Sequence, residues 1–255
     1  VTALLATESL SLRFGGLDAL SGVTLEIPEL SLFAVIGPNG AGKTSLFNCL
    51  TGFYRPSSGS VTFDGHDITR LPAHQVAALG IRRTFQNVRV FPRLSARENV
   101  LIGAHLRASA SPWGTVFGTP GMRRRERALA DEAQHWLDYV GLGDKANVLA
   151  ADLAYGVRKR LEVARALIAR PRVLLLDEPA AGVSSVERDE LADVIQRTWE
   201  SGVTVVIIEH DVELVMQLAK TVAVLDRGRL LVEGEPEAVR NDERVIEAYL
   251  GRRRR

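Results

Sequence analysis

The sequence predicts an α/β fold, a parallel sheet with a helical block inserted into it. Three observations carry that prediction. The apolar run Leu32-Phe33-Ala34-Val35-Ile36 leads into a glycine-rich turn and then into a helical stretch from Ser45 to Leu50. Beyond Pro171, apolar strands and helices alternate, as in parallel βαβ units. Between residues 95 and 170 the apolar spacing is mainly helical.

Residues 4–36 alternate short apolar runs with turns at Gly15-Gly16 and Pro28-Glu29, and read as strands. Val61-Thr62-Phe63 followed by Asp64-Gly65 is a strand and turn. Leu71 to Leu79 is a short helix with Pro72 in its first turn and Gly80 at its end. Ile81 to Gln86 is strand-like. Ser95 with Glu98 three residues later is a capping box opening a helix. Residues 108–121, with Trp113 and Phe117 among Ser, Pro, Gly and Thr, read as a loop. Arg123 to Val140 is helical, with Leu129, Trp136, Leu137 and Val140 at compatible spacing, and Gly156 to Ala169 is helical until Pro171. Then come the strand Val173–Leu176, the helix Ser185–Glu200, the strand Val203–Ile208 and the helix Val212–Lys220. Val222–Leu225 and Leu230–Val232 are strands around Arg227-Gly228.

The turn after the first buried strand is Gly37-Pro38-Asn39-Gly40-Ala41-Gly42-Lys43-Thr44, followed by Ser45. This is a complete phosphate-binding loop. Gly37 and Gly42 let the backbone wrap so that successive N–H groups face one anion. Lys43 is placed to reach β- and γ-phosphates, and the Thr44 hydroxyl to ligate Mg²⁺. The helix that follows turns its N-terminus toward the phosphates.

Composition narrows the function classes. A net charge of +1 offers no electrostatic case for nucleic acid. The single cysteine, Cys49, excludes an intrachain disulfide and reads as a buried, inert thiol. No apolar run approaches the roughly 18 residues that span a bilayer. The N-terminus lacks the features of a signal peptide, so any membrane role is expected to run through a partner.

Val173-Leu174-Leu175-Leu176-Asp177-Glu178 is an apolar strand ending in two carboxylates, at the strand end where ligands bind in open α/β sheets. There Asp177 would hold Mg²⁺ through water, and Glu178 would accept a proton from, or orient, an attacking water. Gln86, at the end of the strand from Ile81, offers a neutral amide to both Mg²⁺ and water. His210 follows the strand Val205-Val206-Ile207-Ile208-Glu209. A lone histidine is more often a packing or surface residue, but at this edge of the sheet it fits a γ-phosphate contact. Leu153-Ala154-Tyr155-Gly156-Val157 opens a helix, either simply as its N-terminus or as an anion site of backbone N–H groups.

In this order, the phosphate loop, Gln86, the Leu-Ala-Tyr-Gly helix start, Leu-Leu-Asp-Glu-Pro and His210 resemble an ABC-type ATPase over nearly the whole chain. Finer features resemble the ATP-binding subunits of branched-chain amino-acid importers. They are Arg13-Phe14-Gly15-Gly16-Leu17, Phe47-Asn48-Cys49-Leu50-Thr51-Gly52-Phe53-Tyr54, Arg83-Thr84-Phe85-Gln86, Asp177-Glu178-Pro179-Ala180-Ala181-Gly182 and Ala248-Tyr249-Leu250-Gly251. The chain is most similar to the longer of the two ATPase types in such importers, with residues 108–127 as its insert.

The resemblance implies a P-loop NTPase core sheet with an N-terminal antiparallel β subdomain and an inserted α-helical signature subdomain. It implies a single domain over 1–251. The core would cover about 1–90 and 160–235, the helical subdomain about 91–159 and C-terminal helices 236–251, with 252–255 a basic tail. It also implies two cassettes packed head to tail, each ATP between one phosphate loop and the other's residues 153–157. Phe14 matches the aromatic that stacks on adenine, and residues 87–99 the surface that grips transmembrane partners. Expected partners are a second, non-identical cassette, two transmembrane permeases and an external solute-binding protein, with the chain peripheral on the cytoplasmic face of the membrane.

Several positions depart from the family pattern. Ala154 stands where a serine hydroxyl would bind γ-phosphate, Tyr155 replaces a glycine, Val157 replaces a glutamine, and Ser184 sits where many relatives carry Asp. Arg123-Arg124-Arg125 with Arg127 reads as a solvated helix face, and Arg252–Arg255 as a frayed tail. Either could also face anionic lipid. Alternatives to amino-acid import are the ATPase of another ABC transporter, for example one moving lipid, a soluble non-transport ABC ATPase, and a P-loop kinase.

Overall fold

The computed structural model describes residues 3–104 and 120–250. They fall into two compact units. The first comprises Val1–Arg83, Arg172–Ala181 and Ile195–Arg255, and the second Thr84–Pro171 and Gly182–Val194.

The first unit holds two sheets. β1 (Ala3–Phe14) and β2 (Leu17–Pro28) form a long antiparallel hairpin across the Gly15-Gly16 turn. With β4 (Ser58–Phe63) and β5 (His66–Asp67) they make a four-stranded antiparallel sheet in the order β2-β1-β4-β5. The second sheet has six strands in the order β10-β9-β3-β8-β7-β6. Its members are β3 (Leu32–Ile36), β6 (Ile81–Arg83), β7 (Val173–Asp177), β8 (Thr204–Ile208), β9 (Thr221–Asp226) and β10 (Arg229–Gly234). β3, β6, β7, β8 and β9 run parallel, and β10 closes one edge antiparallel to β9. Every residue of β3, β7 and β8 is buried, which is why these strands read as apolar runs broken only by Asp177 and Thr204 at strand ends. Leu5, Val23, Phe33, Val35, Leu46, Phe47 and Leu175 belong to one shared apolar core.

Helices α1 (Lys43–Leu50), α2 (Ala73–Ala78), α7 (Val212–Leu218), α8 (Pro236–Arg240) and α9 (Glu243–Leu250) complete the first unit. The Asp211 side chain caps α7 by accepting the Leu214 N–H at 3.1 Å. The helix stops at Leu218, short of the expected Lys220, because Ala219 is extended.

The second unit is helical among the described residues, with α3 (Ala96–Gly103), α4 (Pro120–Tyr139) and α5 (Tyr155–Leu167). The Ser95–Glu98 capping box is formed in full. Leu137, Val140 and Leu161 are buried in this unit. α4 begins at Pro120, three residues before the expected Arg123. α5 lies wholly within this unit, whose first segment runs on to Pro171. α6 (Ser185–Glu200) contributes its first half here. Residues 108–119 of the expected loop and insert, with Trp113 and Phe117, and Arg252–Arg255 lie outside the described residues. Arg124, Arg125 and Arg127 are exposed.

Candidate functional site

The phosphate loop joins the buried end of β3 to α1. Gly37 has φ +148°, and a Cβ there would stand 2.1 Å from the Leu225 carbonyl oxygen. Gly42, the residue before α1, has φ +103°, and its Cβ would stand 2.6 Å from the Ala19 carbonyl oxygen. Both positions therefore require glycine on two counts, conformation and space. Gly228, in the β9–β10 turn, donates its N–H to the Ala41 carbonyl at 2.9 Å and accepts the Ser21 N–H at 2.7 Å. The loop is thus backed by strands of both sheets.

Lys43 is 5% exposed, and its Nζ donates to the Gly37 carbonyl at 2.7 Å and the Pro38 carbonyl at 3.2 Å. This folds the ammonium over the loop. Asn39, Gly40 and Thr44 are exposed along the rim, Ser45 is half-buried, and Pro38 and Ala41 are buried beneath. α1 has no side-chain cap and no acidic residue in its first turn, so its first N–H groups remain suited to an anion. Burial pushes the Cys49 thiol on the far side of this helix up to about 11.

Asp177 ends β7, and its carboxylate is almost wholly buried. Oδ2 accepts from Arg83 at 2.6 Å, while Oδ1 is buried without a hydrogen-bond partner. Glu178 follows in the left-handed region at φ +48°, rare for a residue with a side chain. Its N–H donates to the Ile208 carbonyl at 2.8 Å, and its carboxylate lies 2.5 Å from His210 Nε2. Glu209, 2% exposed, clamps both sides of this pair. It accepts the Ala180 N–H at 2.6 Å and the His210 N–H at 3.0 Å. The sequence carries no local sign of two of these contacts: Asp177 lies 94 positions from Arg83, and Ala180 lies 29 positions from Glu209.

Phe14, at the tip of β1, is 47% exposed and packs edge-to-face on Tyr54 with ring centroids 5.2 Å apart. It is not a core residue. A partly free ring face next to a second aromatic suits stacking on a planar ligand.

The remaining expected site residues belong to the helical unit. The expectation that Gln86 closes the strand from Ile81 is corrected. β6 ends at Arg83, the last residue paired across to β7, and Gln86 lies in a bend. β6 is an edge strand with one neighbour, and Arg83 turns its side chain to Asp177 and Asn48 as the chain leaves the sheet. Leu153 and Gly156 are buried, Ala154 precedes α5 as an N-cap without a side-chain hydrogen bond, and Tyr155 is 38% exposed. Val157 is buried, which accounts for an apolar residue at that position. Ser184 forms a capping box with Glu187. Those hydrogen bonds, with the Gly156 N–H and the charge of Arg160 among the smaller causes, hold the Glu187 carboxyl below its usual range.

The first unit thus brings Lys43, Asp177, Glu178 and His210 to the ends of adjacent parallel strands. A profile of the ABC transporter family matches residues 20–181. The chain belongs to the ABC transporter family and is an ATP-binding cassette, an ATPase. A second profile, of the branched-chain amino acid ATP-binding cassette transporter, matches residues 229–254 of the cassette. The cassette is 47% identical to the high-affinity branched-chain amino acid transport ATP-binding protein BraF of Pseudomonas aeruginosa, over 97% of this chain and 98% of the relative. It is 43% identical to LivG of Salmonella typhimurium, which carries the same description, over the same shares. The ADP conformation of MJ1267, an ATP-binding cassette of an ABC transporter, superposes with a TM-score of 0.84 at 29% identity, covering 98% of this chain and all of the other.

The donor set of the sheet unit fits a magnesium ion. Mg²⁺ keeps several waters and is held by one or two protein oxygens together with substrate phosphates. Asp177 Oδ1 is a buried acceptor without a partner, and the Thr44 hydroxyl is in chemistry a suitable second oxygen. Among the described residues no cluster of three or more His, Cys, Asp and Glu is present.

Proposed function

We propose that this cassette hydrolyses ATP to power uptake of branched-chain or related amino acids through transmembrane permeases. The carrying observation is its end-to-end similarity to high-affinity branched-chain amino acid transport ATP-binding proteins. The match of residues 229–254 to the corresponding transporter profile supports the same reading. Among the described residues no helix is long and apolar enough to cross a membrane.

In this reading, the N–H groups of residues 37–45 and the Lys43 ammonium bind the β- and γ-phosphates. Phe14 stacks on adenine. Thr44, Gln86 and, through water, Asp177 hold Mg²⁺, which when bound neutralises charge on the phosphates. Glu178 takes a proton from the water that attacks the γ-phosphate in line. His210 contacts the γ-phosphate and holds the Glu178 carboxylate in place, as their 2.5 Å approach supports. In a head-to-tail pair of cassettes, Leu153 to Val157 would meet the partner's ATP through backbone N–H groups and the dipole of α5. Closing on ATP and reopening after hydrolysis would switch the permeases between outward- and inward-open states.

Ala154 supplies no hydroxyl to the partner's nucleotide. A non-identical second cassette is therefore proposed, giving two unequal sites, with an external solute-binding protein delivering the substrate. The test is radiolabelled leucine uptake by vesicles holding the permeases, both cassettes, the binding protein and internal ATP. Uptake that needs this chain and fails with Glu178→Gln supports the reading. Full ATP turnover by the assembly with no amino-acid uptake, but movement of another solute, would replace the substrate assignment.

A further inference from the structure

Arg83 carries a charge to which the ATPase reading assigns no role. It ends β6, and its guanidinium donates to Asp177 Oδ2 and to Asn48 Oδ1, each at 2.6 Å. The same group lies 5.5 Å from the centre of the Phe47 ring. The side chains of Arg83 and Asp177 are 5% and 3% exposed. Desolvating two charges to this extent offsets much of their attraction, so stability alone is a weak reason for the pair.

Geometry supplies a stronger reason. The guanidinium fixes one oxygen of Asp177 and leaves the other, Oδ1, buried and without a partner. Its second arm reaches Asn48, which lies on α1 one turn after Thr44. Residues four apart on a helix share a face. One planar fork therefore ties the carboxylate to the helix face that carries the Thr44 hydroxyl. These are the two first-unit side chains that the reading above places around Mg²⁺. Lysine could not hold both partners with fixed angles.

We propose that Arg83 is a positioning residue, setting Asp177 and α1 in register so that Oδ1 is presented to the water shell of a nucleotide-bound divalent cation. The proposal rests on the ATPase reading of the site. Orientation matters most where a carboxylate acts on a metal indirectly, and groups behind metal ligands commonly tune affinity through it.

The experiment is calorimetric titration of the purified full chain with ATP, at increasing Mg²⁺ and in EDTA. A wild-type protein that binds no nucleotide would remove the reading of the site, and this proposal with it. Where wild type binds, Arg83→Met is expected to raise the Mg²⁺ needed for half-maximal enhancement at least ~10-fold, with affinity in EDTA changed less than about threefold. Arg83→Lys and Asn48→Ala are expected to shift the Mg²⁺ requirement in the same direction by less. These two milder variants decide the matter if Arg83→Met does not fold. A purely structural brace would lower the melting temperature and leave the Mg²⁺ requirement unchanged. That result in folded Arg83→Lys and Asn48→Ala would overturn the proposal while leaving the ATPase reading intact.

Discussion

The imidazole of His210 meets the carboxylate of Glu178 at 2.5 Å, and the two residues leave the ends of adjacent parallel strands. β7 and β8 pair Asp177 with Ile208, and the Glu178 N–H then donates once more to the Ile208 carbonyl. From that last hydrogen bond the chain turns through φ +48° at Glu178, a backbone state that costs of order 1 kcal/mol or more for a side-chain-bearing residue. Glu209 holds both flanks, through the N–H groups of Ala180 and His210. The strained turn and its clamp aim the carboxylate at the imidazole.

Removing the imidazole takes one close partner from the Glu178 carboxylate. His210→Ala is expected to lower ATP turnover by about 10²-fold, with ATP affinity changed by less than roughly tenfold. Steady-state hydrolysis and an equilibrium titration on the same preparation separate the two effects. A variant with wild-type turnover would assign His210 to packing.

The loop glycines should differ sharply from one another. Gly37→Ala would bring a Cβ to 2.1 Å from the Leu225 carbonyl oxygen, whereas at Gly40 nothing lies within 4 Å. Gly40→Ala should cost only its backbone conformation, about 1 kcal/mol. Gly37→Ala should cost at least roughly 3 kcal/mol and abolish nucleotide binding. Chemical denaturation of both variants checks the order.

Much of this was legible in the chain itself. The phosphate loop shows because its glycine spacing is contiguous in the chain, although distant Leu225 and Ala19 also set part of the steric demand, and β3, β7 and β8 show because strands buried on both faces are mostly apolar. The capping box at Ser95 is equally local. What stayed hidden depends on long-range pairing. Arg83 and Asp177 stand 94 positions apart, and nothing near either one announces the other. The end of β6 was misplaced because Thr84 and Phe85 suit a strand, while a single-neighbour edge and the pull on Arg83 end it earlier. Val157 looked like a lost polar group and is a buried apolar one.

Ala154 begins α5 with no side-chain oxygen to accept a first-turn N–H. Ala154→Ser would supply one, and the isolated protein is expected to gain about 1 kcal/mol of stability. Thermal or urea unfolding of the pair reads this directly. A loss of stability would show that the serine rotamer is directed away from its own helix.

Cys49 is buried, with its thiol pushed up to about 11. Raising the pKa of a thiol lowers its thiolate fraction near neutrality, and the thiolate is the nucleophile. At pH 8 a disulfide reagent should modify the native chain at least ~10²-fold more slowly than the denatured chain. Rapid native labelling would mean that α1 opens readily.

The central claim is that the loop at 37–45 binds ATP and that Glu178 drives its hydrolysis. The measurement that tests it most directly is ATP affinity alongside ATP turnover for wild type, Lys43→Ala and Glu178→Gln. The account predicts that Lys43→Ala loses ATP binding at micromolar nucleotide while remaining folded. It predicts that Glu178→Gln binds ATP as wild type does and turns over at least ~10²-fold more slowly. Unchanged affinity in the Lys43 variant, or near-normal hydrolysis in the Glu178 variant, would contradict it.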